Sequence, residues 1–223
     1  MKEKVGEVFS IAADNPPVPF CTVSRELMSG ADGGIAYYSL AENTDISAEM
    51  FPYYKLILPS DGVIEIFFNE TRATVGAGDG FFTPTDIPVG IRTKTDSVYT
   101  EIMIGRTDKM NQNIHAGEVF SLTGLVPYQE GKIVNMDVVH NDKMKFVIMA
   151  FDAGTGLSEH AAPGEALIFA LDGEAVIGYE GKEYTVHAGE NFHFAKGGRH
   201  SVKARAKFKM GLLLCLEAST FHA

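Results

Sequence analysis

The chain has 223 residues, is 45% hydrophobic and carries a formal net charge of −10. Lys and Arg number 9 against 16 Asp and Glu in residues 1–111, and 10 against 13 in residues 112–223, so neither half offers the basic face that nucleic acid or an anionic membrane requires. Its length fits two domains of ordinary size, each large enough to bury a core.

In chain order, Met1-Lys-Glu-Lys-Val5 lacks the apolar stretch of a secretory signal. Beyond it, short apolar runs alternate with turn signals, and no long segment has a helical period. Gly76-Ala-Gly-Asp-Gly80 resembles a phosphate loop only superficially, because the following Lys-Ser/Thr is missing; a turn between strands explains it. Residues Gly105 to Ala116 are polar and read as a connection. Ile133–Val139 and Lys145–Asp152 are predicted strands around the turn His140-Asn-Asp-Lys143. Ala166–Leu171 is expected to end at Asp172-Gly173, Ala175–Tyr179 at Glu180-Gly181, and Tyr184–His187 at Ala188-Gly189. Such steps suit hairpins because Gly accepts positive φ without steric cost. Lys203, Arg205, Lys207 and Lys209 alternate with Ala204, Ala206 and Phe208, as on a solvated strand face, with a turn expected near Arg205. Met210 to Leu216 reads as a buried strand, far too short to span a bilayer.

One pattern organises all of these. Gly6-Glu-Val-Phe-Ser10 recurs as Gly117-Glu-Val-Phe-Ser121, 111 positions later. The same ungapped shift pairs Pro52 with Pro163, Asp61-Gly62 with Asp172-Gly173, Thr74-Val75 with Thr185-Val186, and Ala77-Gly78 with Ala188-Gly189. Gly and Pro recur where turns are needed and apolar residues where a core is needed. The sequence therefore reads as two copies of one all-β fold, residues 1–111 and 112–223, each a sandwich or barrel. Leu167, Phe169 and Leu171 alternate with Ala166, Ile168 and Ala170, so both faces of that strand are apolar and should be covered. Its outer face, with Leu56 and Leu58 of the first copy, is expected to be buried between the copies or in a homodimer. Cys21 and Cys215 are not related by the repeat. They suit reduced thiols in a cytoplasmic protein better than a disulfide.

In the second copy Gly154, His160 and Gly173, followed by Gly189, Gly197 and His200, keep a spacing that resembles the two motifs of the cupin superfamily. Its first motif, Gly-x5-His-x-His-x3-Glu-x6-Gly, is met by Gly154, His160, Ala162, Ala166 and Gly173. The second, Gly-x5-Pro-x-Gly-x2-His-x3-Asn, is met by Gly189, Ala195, Gly197, His200 and Ala204. Spacing agrees throughout, although several side chains differ. The resemblance implies two tandem jelly-roll β-barrels, a bicupin similar to the conserved-barrel cupins. In metal-bearing members three His and one Glu hold a divalent metal. Here those slots hold His160, Ala162, Ala166 and His200, which removes half the set.

Two readings of the site follow. In one, Pro163-Gly164 breaks the strand alternation, Glu165 turns inward, and His160, His200 and Glu165 hold iron, zinc, nickel or manganese; His193 is an alternative third ligand. In the other, His160 and His200 contact a small organic molecule against small walls at Ala162, Ala166 and Ala170, without metal. His187 is expected in a solvated turn, whereas His115, His140 and His222 have no partner legible in sequence. In the first copy the four slots are Glu49, Phe51, Lys55 and Val89, which excludes a metal there. Glu49 and Lys55 are expected either to pair or to reach solvent. Function is therefore expected to be small-molecule binding in a non-catalytic or sensory role, or, alternatively, a metal-dependent dioxygenase, isomerase or decarboxylase. Beside either, the first copy serves to brace the second.

Overall fold

Residues 1–29 and 34–216 are described by the structure, a computed structural model. His222 lies outside them. The elements begin with β1 (Val8–Phe9), α1 (Ile11–Asp14), β2 (Thr22–Met28), β3 (Ile35–Leu40), β4 (Asp45–Met50), β5 (Tyr54–Asp61) and β6 (Val63–Phe68). They continue through β7 (Thr71–Gly76), β8 (Asp79–Phe82), β9 (Pro88–Thr93), β10 (Ser97–Ile104), β11 (Lys109–Met110), β12 (Val119–Ser121) and β13 (Ile133–His140). The last are β14 (Met144–Phe151), β15 (Gly156–Ala161), β16 (Glu165–Tyr179), β17 (Lys182–His187), β18 (Asn191–Phe194), β19 (Arg199–Lys203) and β20 (Phe208–Cys215). The one helix among the described residues is a single turn, capped by Ser10, whose hydroxyl accepts from the Ala13 amide at 3.2 Å.

Five strands of the first half, with β12 at the edge, form a six-stranded sheet, ordered β12-β8-β5-β10-β3-β2, that packs against a four-stranded sheet, β4-β9-β6-β7. Leu40, Ile57, Phe81 and Tyr99 from one face meet Ile64, Ile66, Val75 and Ile91 from the other in one buried cluster. In the second half the strands β15, β17 and β19 join the larger sheet through β16. Several strand bounds are displaced from one half to the other by 111: β4 and β15, β7 and β17, and β10 and β20.

The expected hairpin at Asp172-Gly173 is corrected. β16 runs unbroken from Glu165 to Tyr179, with a register shift between Ala170 and Asp172. Gly173 has φ +72°, and a Cβ there would lie 2.0 Å from the Lys207 carbonyl oxygen. Glycine lets the strand bulge and pass from one sheet to the next without ending. Glu180-Gly181 does form the expected two-residue hairpin, closing Tyr179 against Lys182 with both loop residues at positive φ. Within Gly76–Gly80, Ala77-Gly78 forms the expected turn, joining β7 to β8. The basic stripe is broken after Lys203; Lys209 is buried, donating to the Thr123 carbonyl at 2.6 Å and lying over the Tyr128 ring.

The halves are held together in two ways. Leu56, Leu58, Leu167 and Phe169 lie in one apolar cluster with Ile102 and Phe146, so the outer faces bury each other within the chain, the first of the two expected arrangements. The short repeated segments are also exchanged. β1 of the first half pairs with β18 of the second, Val8 opposite Phe192 and Phe9 opposite Asn191. β12 of the second half pairs with β8 of the first, Val119 opposite Phe81 and Phe120 opposite Gly80. All four pairs obey the same displacement of 111, so each half completes a sheet edge of the other. Cys21 and Cys215 are free thiols, the first exposed and the second buried.

Candidate functional site

The motif histidines come together. Strands β15 and β19 are antiparallel and place His160 directly opposite His200, with ring centres 4.2 Å apart. The His160 Nδ1 lies 2.8 Å from the Ser158 carbonyl oxygen, and the His200 Nδ1 lies 3.1 Å from that of Gly198. Those carbonyls fix the tautomer, because a neutral imidazole donates there only from Nδ1–H. In the neutral form of each ring Nε2 is then the acceptor. His200 is buried and stacks on Phe194 at 4.1 Å, whereas His160 is exposed. Burial holds the His200 pKa below the usual imidazole value, and the neighbouring His160 lowers it further, against the Gly198 hydrogen bond that raises it.

The remaining candidates of the second half lie elsewhere. Glu165 does not turn inward. Pro163-Gly164 is not a bulge; a Cβ on Gly164 would lie 1.9 Å from the Cys215 carbonyl oxygen, so the glycine admits that close approach. Alternation along β16 then sends Ala166 to the inner cluster and Glu165 to the opposite face, where its carboxylate pairs with the Met1 ammonium. His193 is fully buried on β18 and donates from Nδ1 to the Glu3 carbonyl at 3.3 Å. Desolvation by burial lowers its pKa as well. Ala162 and Ala166 are buried in a cluster shared with Phe194 and Met210, so they serve that packing. His187 is exposed beside Glu190 and Glu174, as expected of a turn, and His140 faces Asp137.

Two imidazoles do not make a resident metal centre. Among the described residues no three His, Cys, Asp or Glu side chains are grouped to hold an ion. Glu159, the carboxylate adjacent to His160 in sequence, is engaged by Arg199 at 2.6 Å. The donor set present does not fit the divalent metal that the family resemblance implies.

In the first half, the expected pairing of Glu49 with Lys55 is replaced by another. Lys55 Nζ lies 3.1 Å from Glu101 and 4.0 Å over the Phe51 ring. Burial raises the Glu101 pKa, Lys55 lowers it, and Glu49 adds a further rise. Tyr38 and Tyr99 stack beside them at 5.0 Å. Sequence reasoning missed Tyr38, Tyr99 and Glu101 because they lie outside the cupin motif slots. Their signal was the repeat itself: the positions 111 residues later are Met149, Met210 and Leu212, so three polar side chains stand where the second half is apolar.

Residues 147–216 match the family model described as Cupin domain. The second half is thus similar to the cupin domain over most of its length. No curated protein matches the sequence. A "Cupin 2 conserved barrel domain protein" from Leptotrichia buccalis is 27% identical, with a TM-score of 0.84 over 96% of this chain and 98% of that one. Salicylate 1,2-dioxygenase from Pseudaminobacter salicylatoxidans is 11% identical with a TM-score of 0.59, covering 82% of this chain and 70% of its own. A mutant of Bacillus subtilis oxalate decarboxylase is likewise 11% identical, TM-score 0.56, over 98% and 79%. The last two share the fold with this chain; their reactions do not transfer with it.

Proposed function

We propose that this chain is a bicupin, two barrels descended from one by duplication, whose second half binds a small organic molecule in a non-catalytic or sensory role. The equal displacement of strands and of the exchanged pairs supports the duplication. The observation that carries the binding reading is the paired imidazoles, each with Nδ1 committed to a backbone carbonyl and Nε2 left to accept. Two such acceptors side by side suit a molecule that donates hydrogen bonds, such as a small hydroxylated compound or an un-ionised acid. The reading as a dioxygenase, isomerase or decarboxylase lacks a third ligand, because Glu165 and His193 are held elsewhere.

The experiment is elemental analysis of chelator-free protein, with a thermal-shift screen of hydroxylated and acidic small molecules. Protein below about a tenth of an equivalent of iron, zinc, nickel or manganese, stabilised by a compound that no longer stabilises His200→Ala, is the expected result. About one equivalent of metal, lost in His200→Ala, would overturn it in favour of the enzyme.

A further inference from the structure

The first half contains polar groups that its own packing does not call for. A cavity of about 50 Å³ opens there, bounded by Tyr38, Glu49, Phe51, Lys55, Tyr99 and Glu101. That volume corresponds to about two waters at liquid density. Tyr99 is fully buried, lines the cavity, and its hydroxyl has no hydrogen-bond partner among the described residues. A buried hydroxyl without a partner forfeits its hydration, so folded chains rarely keep one. The core does not require it: the position 111 residues later is Met210, equally buried.

The charges decide what enters. Glu49, Lys55 and Glu101 line the cavity and sum to −1. Lys55 is already committed to Glu101 and to the Phe51 face. An entering anion must draw Lys55 away and leave the Glu101 carboxylate, whose side chain is only 14% exposed, alone. An entering cation keeps that pair intact. It meets the second carboxylate at Glu49 and the aromatic rings of Tyr38 and Phe51, and it reaches the unpaired oxygen of Tyr99, which is closed off from water here, only as the lining side chains part. The net charge of −10 favours its approach.

We propose that the first half binds a small organic cation, a protonated primary amine whose head group donates to Tyr99 and to the carboxylate of Glu49. Ile87 and Val89, which also line the cavity, take its carbon chain. This site is separate from the histidine pair and does not depend on the reading of that pair. It gives the first half a ligand of its own.

Calorimetric titration of the full chain with ethylammonium chloride, and with sodium acetate as the anion, tests it. Ethylammonium should bind and acetate should not. Tyr99→Phe removes only the unpaired hydroxyl; it should melt at or above the parent temperature while binding ethylammonium about tenfold more weakly. Glu49→Gln should also weaken binding, and more so at low salt than at high. His200→Ala should titrate as the parent does. The proposal fails if acetate binds in preference, if neither ion binds, if Tyr99→Phe leaves the affinity unchanged, or if His200→Ala abolishes binding.

Discussion

Replacing Lys55 by Met removes the ammonium beside Glu101 while keeping most of the side-chain volume that packs on Phe51. The pair is largely out of water, with side chains 17% and 14% exposed, so the remaining carboxylate cannot recover full hydration. Breaking a buried pair from one side costs about 3–5 kcal/mol. The residual exposure places this one near the lower end, about 3 kcal/mol at pH 8, or roughly 6–12 °C in Tm for a chain of this size. Glu101 has an escape, because it can take up a proton. Burial already raises its pKa, and losing Lys55, which lowers it, raises it further. The folded variant therefore holds a proton more tightly than the unfolded chain does. Its stability is fully present below the unfolded carboxylate pKa of about 4.3 and is lost as pH rises toward the folded value, by at most about 1.4 kcal/mol per unit. Urea unfolding followed by circular dichroism at pH 5, 6, 7 and 8 should show a penalty that grows with pH. The double variant Lys55→Met/Glu101→Leu should recover most of it at pH 8. A penalty under about 1 kcal/mol at pH 8, or one equal at pH 5 and pH 8, would refute the account of a buried, mutually dependent pair.

The exchanged strands predict that residues 1–111 and 112–223, made separately, show no cooperative melt, whereas the co-expressed pieces form a one-to-one complex that does. A separate piece melting within a few degrees of the parent would contradict this. His200 and His193 have pKa values lowered by burial, so the unfolded chain binds protons that the folded chain refuses. Stability should fall as pH drops below about 6.5, until the lowered folded values are reached, with each imidazole contributing at most about 1.4 kcal/mol per unit. His200→Gln should flatten that fall in urea titrations between pH 7 and pH 5, and an unchanged slope would assign it to other groups.

The candidate site was legible in the sequence only in part. His160 and His200 were found because the motif spacing places them on two strands of a known arrangement, and the structure puts them in register. Glu165 was misplaced because the Pro163-Gly164 step looked like a break in alternation. Its true role, the approach to the Cys215 carbonyl, depends on a strand about 50 residues further along the chain. Lys55 was found, but its partner was not. Glu101 stands on β10, diagonal to Lys55 across the β5 ladder, in which Lys55 faces Met103 and Ile57 faces Glu101.

By itself the sequence determined the all-β class and displayed a repeat of turn and strand residues at a spacing of 111, because turn glycines and strand alternation act over a few residues and recur wherever the backbone recurs. It also determined that the outer face of Leu167 and Phe169 must be covered, since two apolar faces cannot both meet water. Only the tertiary structure decided what covers that face, which sheet receives β1 and β12, and which carboxylate meets Lys55. Each of those depends on the register between strands distant in the chain. A shift of one residue there would turn every side chain to the other face while leaving the local sequence signals unchanged.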